Sequence, residues 1–226
     1  MSNKIIIAAS ILSADFAILG QESKNILSAG AHCLHFDVMD HHFVPNLSFG
    51  SVVCQALRNA GITAEIDVHL MVTDPECYIE PFARAGATRL TFHPAALKSP
   101  NDIKLICDKI HDASMQAGLA FNPDKPVHID KALFSEFELI LLMSVFAGFG
   151  GQSFIPESVE KIRETKKLIN KYNPNILLGI DGGIKVNNIK QVINAGANFI
   201  VMGSELFGTD DYALRIKQLY EEINRT

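Results

Sequence analysis

Residues 28–39 read SAGAHCLHFDVM, and two features of that stretch decide the fold. Ser28-Ala29-Gly30-Ala31 ends a helical pattern over 15–29, for which Ser13 or Asp15 is the candidate cap. Gly30 fits the left-handed residue that closes a helix, and the apolar strand 33–38 follows at once. The same closure recurs at Arg84-Ala85-Gly86-Ala87 and Asn194-Ala195-Gly196-Ala197, each time just before another apolar run. A short link from a helix into a strand is the repeating joint of βαβ units.

Outward from that joint, apolar runs predict strands at 5–12, 33–38, 63–72, 89–93, 119–121, 139–145, 176–180 and 199–202. Helical spacing predicts helices over 15–29, 51–59, from Asp74-Pro75 onward, 101–117 with Gly118 leading into the strand after it, weakly within 125–134, then 156–172, 187–195 and 210–224. Eight strands alternating with eight helical regions in 226 residues favour a closed (β/α)8 TIM barrel over an open sheet, because the strand order never has to reverse. No linker or charge run interrupts the alternation, so residues 1–226 are expected to form a single domain.

In a strand, His35, Asp37 and Met39 share one face. An imidazole beside a carboxylate can hold a divalent cation, and a carboxylate beside a cation can act as a base at neutral pH. Taken alone, such a couple is more often a buried hydrogen-bonded pair. Residues 63–72, TAEIDVHLMV, repeat the pattern with Asp67, His69 and Met71 on one face, which points to a shared site. In barrels of this kind the working residues lie at the C-terminal ends of strands, where this sequence puts Ser10, His35, Asp37, His69 and Asp181. Burying two carboxylates and two imidazoles together costs on the order of several kcal/mol per unpaired charge. One divalent metal, whether Zn, Fe(II), Mn or Co, would remove that cost.

Three glycine-bearing turns follow consecutive strands: Gly148-Phe149-Gly150-Gly151, Gly182-Gly183 and Gly203-Ser204. Their backbone N–H groups are free of Cβ crowding and suit an anion, and Ser204 is placed to cap a one-turn helix over 205–207. Met39, Met71 and Met143 stand at matching depths; singly they read as core filler, together as a polarizable cavity wall that keeps water from a carbanion. His93 and His41-His42 also lie at strand ends, but with no evident partner they read as solvent-facing or loop residues.

Composition narrows the partners. Hydrophobic residues make up 48% of the chain, enough for a large core, and the net charge is -5 with Lys and Arg scattered. That distribution argues against a nucleic-acid or membrane partner. Cys33, Cys54, Cys77 and Cys107 form no C-x-x-C pair, which suits reduced thiols in the cytoplasm.

The combined motifs resemble the ribulose-phosphate 3-epimerase family, nearly end to end. They are SILSADF from Ser10, HFDVMD and HFVPN within 35–46, DVHLM from Asp67, GFGGQ from Gly148, DGG from Asp181 and GS at Gly203. The resemblance implies a (β/α)8 fold, one catalytic divalent metal, and interconversion of D-ribulose 5-phosphate and D-xylulose 5-phosphate in the pentose phosphate pathway. It implies His35, Asp37, His69 and Asp181 as metal ligands and Asp37 and Asp181 as the acid–base pair. Substrate contacts would come from Ser10, His69 and Asp181, with phosphate on Gly148, Phe149, Gly150, Gly151, Gly182, Gly183, Gly203 and Ser204. A cytoplasmic homo-oligomer acting on a small phosphorylated ketose is the expected setting. The chemistry agrees: inverting a carbon next to a ketone means taking its proton from one face and returning one to the other, so two acid–base groups must flank it.

The chain departs from the family pattern at three places. It has Asp40-His41-His42-Phe43 for the usual Asp-Gly-His-Phe, Phe146-Ala147 for Asn-Pro, and Ala95 for an acidic residue. Loss of proline frees a φ angle beside a loop that would fold over substrate, so turnover or sugar preference is expected to respond there. The rival readings are an epimerase of a six-carbon ketose phosphate such as allulose 6-phosphate, and a sugar-phosphate-binding protein without catalysis. A metal-free isomerase or synthase would share the phosphate turns but leave the His-Asp set unexplained.

Overall fold

Strand β2, Cys33–Met39, is buried at every position, which a strand achieves only when both of its faces are covered. In the computed structural model, which describes residues 4–225, seven more strands share that environment. They are β1 (Ile6–Ser10), β3 (Glu65–Met71), β4 (Arg89–Phe92), β5 (Gln116–Phe121), β6 (Leu139–Met143), β7 (Leu177–Asp181) and β8 (Phe199–Met202). Each pairs in parallel with the next, and β1 pairs with β8, closing the expected barrel. Helices α1 (Leu19–Ala29), α2 (Ser51–Asn59), α3 (Glu76–Arg84), α4 (Asp102–Asp112), α5 (Ser158–Tyr172), α6 (Val186–Ala195), α7 (Ser204–Phe207) and α8 (Tyr212–Asn224) connect them.

The period-two alternation of the strands divides the core in two. Leu34, Phe36 and Val38 of β2 join the layer packed against helices, while Cys33 points inward with Ala8, Leu139, Leu141, Phe199 and Val201. Further along the same inward rows stand Ser10 of β1, His35 and Asp37 of β2, His69 of β3 and Asp181 of β7, which is how the site arises from the same alternation. Gly30, Gly86 and Gly196 all adopt positive φ, at 117°, 84° and 120°, as the repeated Ala-Gly-Ala closure requires.

Several boundaries differ from the sequence reading, each for a local reason. The first strand stops at Ser10 and turns into a 3-10 segment, Ile11–Ser13. The region before α1 is a separate 3-10 turn, Phe16–Ile18, capped by the Asp15 side chain accepting from the Ala17 N–H at 2.9 Å. The helix expected over 101–117 ends at Asp112, because Ser114 takes a left-handed φ of 62°. Gly118, expected just before the strand, lies within β5 opposite Thr91, where a Cβ would come within 2.4 Å of the threonine hydroxyl. The short helix expected within 125–134 is a 3-10 segment, Lys131–Ser135. Ser204 is the first residue of α7 rather than its cap: Gly203 occupies that position, and no side chain caps the helix.

His41 shows what one departure from the family pattern does to the backbone. It holds φ at 61°, the left-handed region that favours glycine. The turn is kept by its neighbours: the His41 N–H donates to the Asn46 carbonyl at 2.9 Å, and one Asp40 carboxylate oxygen accepts from the His42 and Phe43 N–H groups at 2.8 Å. Burial works against ionisation of Asp40, yet these bonds and those from Thr73 hold its pKa down at about 2.

Candidate active site

The β2/β3 register stacks three rungs: His35 beside Asp67, Asp37 beside His69, and Met39 beside Met71. Asp181 enters from β7, whose partner across the ladder is Met143. As a result one donor atom from each of His35, Asp37, His69 and Asp181 lies within 4.8 Å of the others. Asp37 Oδ1 is 3.4 Å from His35 Nε2 and 3.4 Å from His69 Nδ1, and Asp181 Oδ2 is 3.9 Å from each of the same nitrogens. None of these contacts forms a hydrogen bond in the structure. Both nitrogens are buried without a hydrogen-bond partner among the described residues. Two imidazole lone pairs and two carboxylates converging on one small volume fit a divalent cation, which would satisfy all four.

Each imidazole is held from behind. Asp67, fully buried, takes His35 Nδ1 at 2.7 Å and in turn faces Arg89, whose Nη1 is 3.4 Å from Asp67 Oδ1. Arg89 also donates to Gln116 Oε1 at 2.6 Å, and its guanidinium lies 5.3 Å from the centre of the Phe199 ring. On the other imidazole, His69 Nε2 meets His93 Nε2 at 2.9 Å. The expectation of a solvent-facing His93 is therefore wrong: its side chain turns inward and is 2% exposed. His41 and His42 are exposed, as expected.

The two clustered carboxyls are pushed in opposite directions. Burial works against charge on Asp37, but the charge and proximity of His35, with help from His69, hold its pKa well below the usual carboxylate range. Burial raises Asp181 to about 7, reinforced by the Asp37 charge and only partly offset by His35. Burial opposes charge on His35, yet Asp37 and Asp67 together raise it well above the ordinary histidine value. Burial lowers His69, with the Asp37 carboxylate opposing, and burial together with His69 and Lys161 lowers His93 far more.

Above the cluster opens a mouth lined by Ser10, Met39, Met71, Met143, the 146–152 loop, Asp181, Gly182, Gly183, Gly203 and Ser204. Ser10 Oγ donates to Asp37 Oδ2 at 2.6 Å. The N–H groups of Gly150, Gly151, Gly182 and Gly183 donate to no acceptor among the described residues. Gly183 has φ at 65°, and a Cβ there would fall 2.4 Å from the Phe154 backbone nitrogen. Phe146 and Phe149 are exposed at the rim. Gln152 Nε2 donates to both of their carbonyls, at 2.7 and 2.8 Å, and Asn46 Nδ2 donates to the Gly148 carbonyl at 2.7 Å.

Four supporting residues escaped the sequence reading. Asp67 was visible as a face partner of His69, but not as the brace of His35. Ser144 Oγ donates to the carbonyls of Asp181 and Gly182, at 2.9 and 2.6 Å, fixing the end of β7. Ser48 Oγ donates to the Asp37 carbonyl at 2.5 Å. Lys185, just past the Gly182-Gly183 turn, is the one cationic side chain lining the mouth among the described residues. None of the last three belongs to a periodic pattern.

Comparison with known proteins agrees with this geometry. The chain matches the ribulose-phosphate 3 epimerase family over residues 6–207. It is 48% identical to the ribulose-phosphate 3-epimerase of Buchnera aphidicola over 221 residues, covering 98% of this chain and 96% of that protein. It is 46% identical to the Escherichia coli enzyme of the same name over 218 residues, covering 96% of each. Among solved structures, 3-keto-L-gulonate-6-phosphate decarboxylase from Vibrio cholerae superposes with a TM-score of 0.71 at 15% identity, covering 99% of both chains, which speaks to the barrel alone.

Proposed function

The chain belongs to the ribulose-phosphate 3-epimerase family and interconverts D-ribulose 5-phosphate and D-xylulose 5-phosphate in the pentose phosphate pathway; from that premise we propose how its residues divide the work. Asp37 and Asp181 are the acid–base pair. The observation that carries this reading is geometric: the two carboxyls come from separate strands, β2 and β7, and both line the same mouth. Before any cation binds, Asp37 is held low and Asp181 is raised to about 7, so the two carboxyls differ in proton affinity. Inversion at C3 needs an acid–base group on each face of the carbon, and these two strands supply one each. Asp37 takes the proton from one face while Asp181 returns one to the other, and the reverse reaction exchanges the roles.

His35, Asp37, His69 and Asp181 hold one divalent cation of the Zn, Fe(II), Mn or Co group. Such an ion supplies positive charge that favours the charge developing on the ketose oxygens over the neutral ketone. Ser10 orients Asp37 through its 2.6 Å bond and meets the substrate beside His69. Met39, Met71 and Met143 wall the cavity against water. The phosphate rests on the N–H groups of the 148–151 loop, with Phe149 contributing its main chain, and on Gly182, Gly183, Gly203 and Ser204. Binding there, away from C3, orients the reacting carbon.

Lys185 completes the phosphate site by giving the dianion a cation at the rim. Lys185→Met is expected to raise KM about 10- to 100-fold, the value of one charge-assisted hydrogen bond, with kcat nearly unchanged. An unaltered KM in steady-state kinetics would take Lys185 out of substrate binding.

The rest of the proposal concerns the setting. That residues 4–225 make one domain is supported by the single closed barrel of their eight strands. Cytoplasmic location is supported by four free cysteines, of which Cys33, Cys54 and Cys107 are buried. No helix among the described residues is long and apolar enough to cross a membrane. Self-association into a homo-oligomer is supported by exposed Phe16, Ile18 and Val52 around one apolar groove. Sedimentation as a monomer at micromolar concentration would overturn that part.

A further inference from the structure

We infer that His93 is the positioning residue of His69: it accepts the His69 Nε2–H and so keeps the His69 Nδ1 lone pair aimed at Asp37 and Asp181. The two Nε2 atoms are 2.9 Å apart, a contact that needs one hydrogen between them. Two arrangements supply it. If His93 donates, His69 must carry its hydrogen on Nδ1, facing Asp37 Oδ1 at 3.4 Å and Asp181 Oδ2 at 3.9 Å. Neither contact forms a hydrogen bond, and His69 Nδ1 is a buried atom without a partner among the described residues. A hydrogen there would be stranded. If His69 donates instead, its Nδ1 is bare and converges with His35 Nε2 and the two carboxylates. His93 then carries its own hydrogen on Nδ1 and presents a lone pair at Nε2.

The packing holds that acceptor in place. His93 is 2% exposed, its ring centre lies 5.0 Å from those of both His69 and Phe43, and it stands at the end of β4, so the ring has no room to swing. The two ligand imidazoles are thus braced by unlike partners: His35 by the anionic Asp67, His69 by a neutral imidazole. The difference has a reason in charge. Asp37, Asp67 and Asp181 already crowd one volume, with Arg89 the cation buried beside Asp67, and a further carboxylate behind His69 would add repulsion. A neutral acceptor fixes tautomer and ring orientation without that cost.

This inference rests on the metal-site reading, and the experiment separates the two. In 15N-labelled protein stripped with a chelator, imidazole NMR is expected to find His69 as the Nε2–H tautomer and His93 as the Nδ1–H tautomer. The reverse pair would overturn the assignment. For Zn measured against a chromophoric chelator, His93→Leu is expected to weaken affinity about 10- to 100-fold, and His93→Gln, whose amide oxygen can accept the same bond, to recover most of it. Unchanged affinity in His93→Leu, or equal loss in both variants, would mean that His93 only fills space. If the wild-type protein itself bound no Zn, Mn or Co, the metal-site reading would fail, and the tautomer measurement would still decide the hydrogen bond.

Discussion

Asp37→Asn and Asp181→Asn are each expected to lower kcat/KM on ribulose 5-phosphate by about a thousandfold, the range for loss of a positioned acid or base. Each variant should nevertheless keep half of the chemistry. With one carboxyl replaced, the remaining one can still take the C3 proton from the epimer that presents it and return a solvent proton to the same face. Deuterium from heavy water should therefore enter ribulose 5-phosphate with one variant and xylulose 5-phosphate with the other, with no inversion in either. Asparagine keeps an oxygen for the cluster, and metal content measured in parallel separates loss of a base from loss of the ion. Exchange into both epimers by a single variant would mean that one residue serves both faces, and the two-base assignment would fall.

Asp67 offers a second large effect, on stability as well as on the site. Its carboxylate neutralises Arg89, which is 3% exposed, and braces His35 Nδ1 at 2.7 Å. Asp67→Leu would leave the buried guanidinium with only the exposed Glu65 carboxylate, 3.8 Å away, at an expected cost of about 3 kcal/mol in urea unfolding. It would also free the His35 ring, with metal affinity falling about 10- to 100-fold. Adding Arg89→Met removes the stranded charge, so the double variant should recover most of the stability while metal affinity stays low. That split distinguishes the two duties of the carboxylate. Recovery of both properties together would show that Asp67 acts on the metal site only through the fold.

The barrel was legible because its joints are chemical as well as periodic: Gly30, Gly86 and Gly196 must take positive φ, and they do. The cluster was legible for a related reason. A polar pair two residues apart in an apolar strand shares a face, and the register then brings Asp37 beside His69. What escaped lies where position depends on a partner far along the chain. Gly118 looked like a lead into a strand beginning at 119 because nothing in its neighbourhood announces Thr91 across the ladder. His93 looked like a loop residue because a single histidine at a strand end carries no period, and only the ladder between β3 and β4 turns it toward His69. Ser48, Ser144 and Lys185 act through loops whose paths no residue pattern describes.

Of the departures in this chain, Phe146 and Ala147 line the mouth, and none lies in the cluster. Phe146 stands exposed on the 146–152 loop where the family pattern has asparagine, and its carbonyl is tied to Gln152. His41 bends the turn after β2 with a strained φ of 61° where the pattern has glycine. The Phe146-Ala147 site borders the entrance, so differences from relatives are expected in substrate entry and release before they appear in proton transfer.

The central claim is that one cation, gripped by His35, Asp37, His69 and Asp181, is needed for the inversion. Its most direct test is the activity of chelator-stripped protein titrated with Zn, Fe(II), Mn or Co while bound metal is counted by elemental analysis. The account predicts that stripping abolishes epimerisation and that activity returns in step with bound metal, reaching its plateau at a single ion per chain. Full activity in protein shown to be free of metal would contradict it.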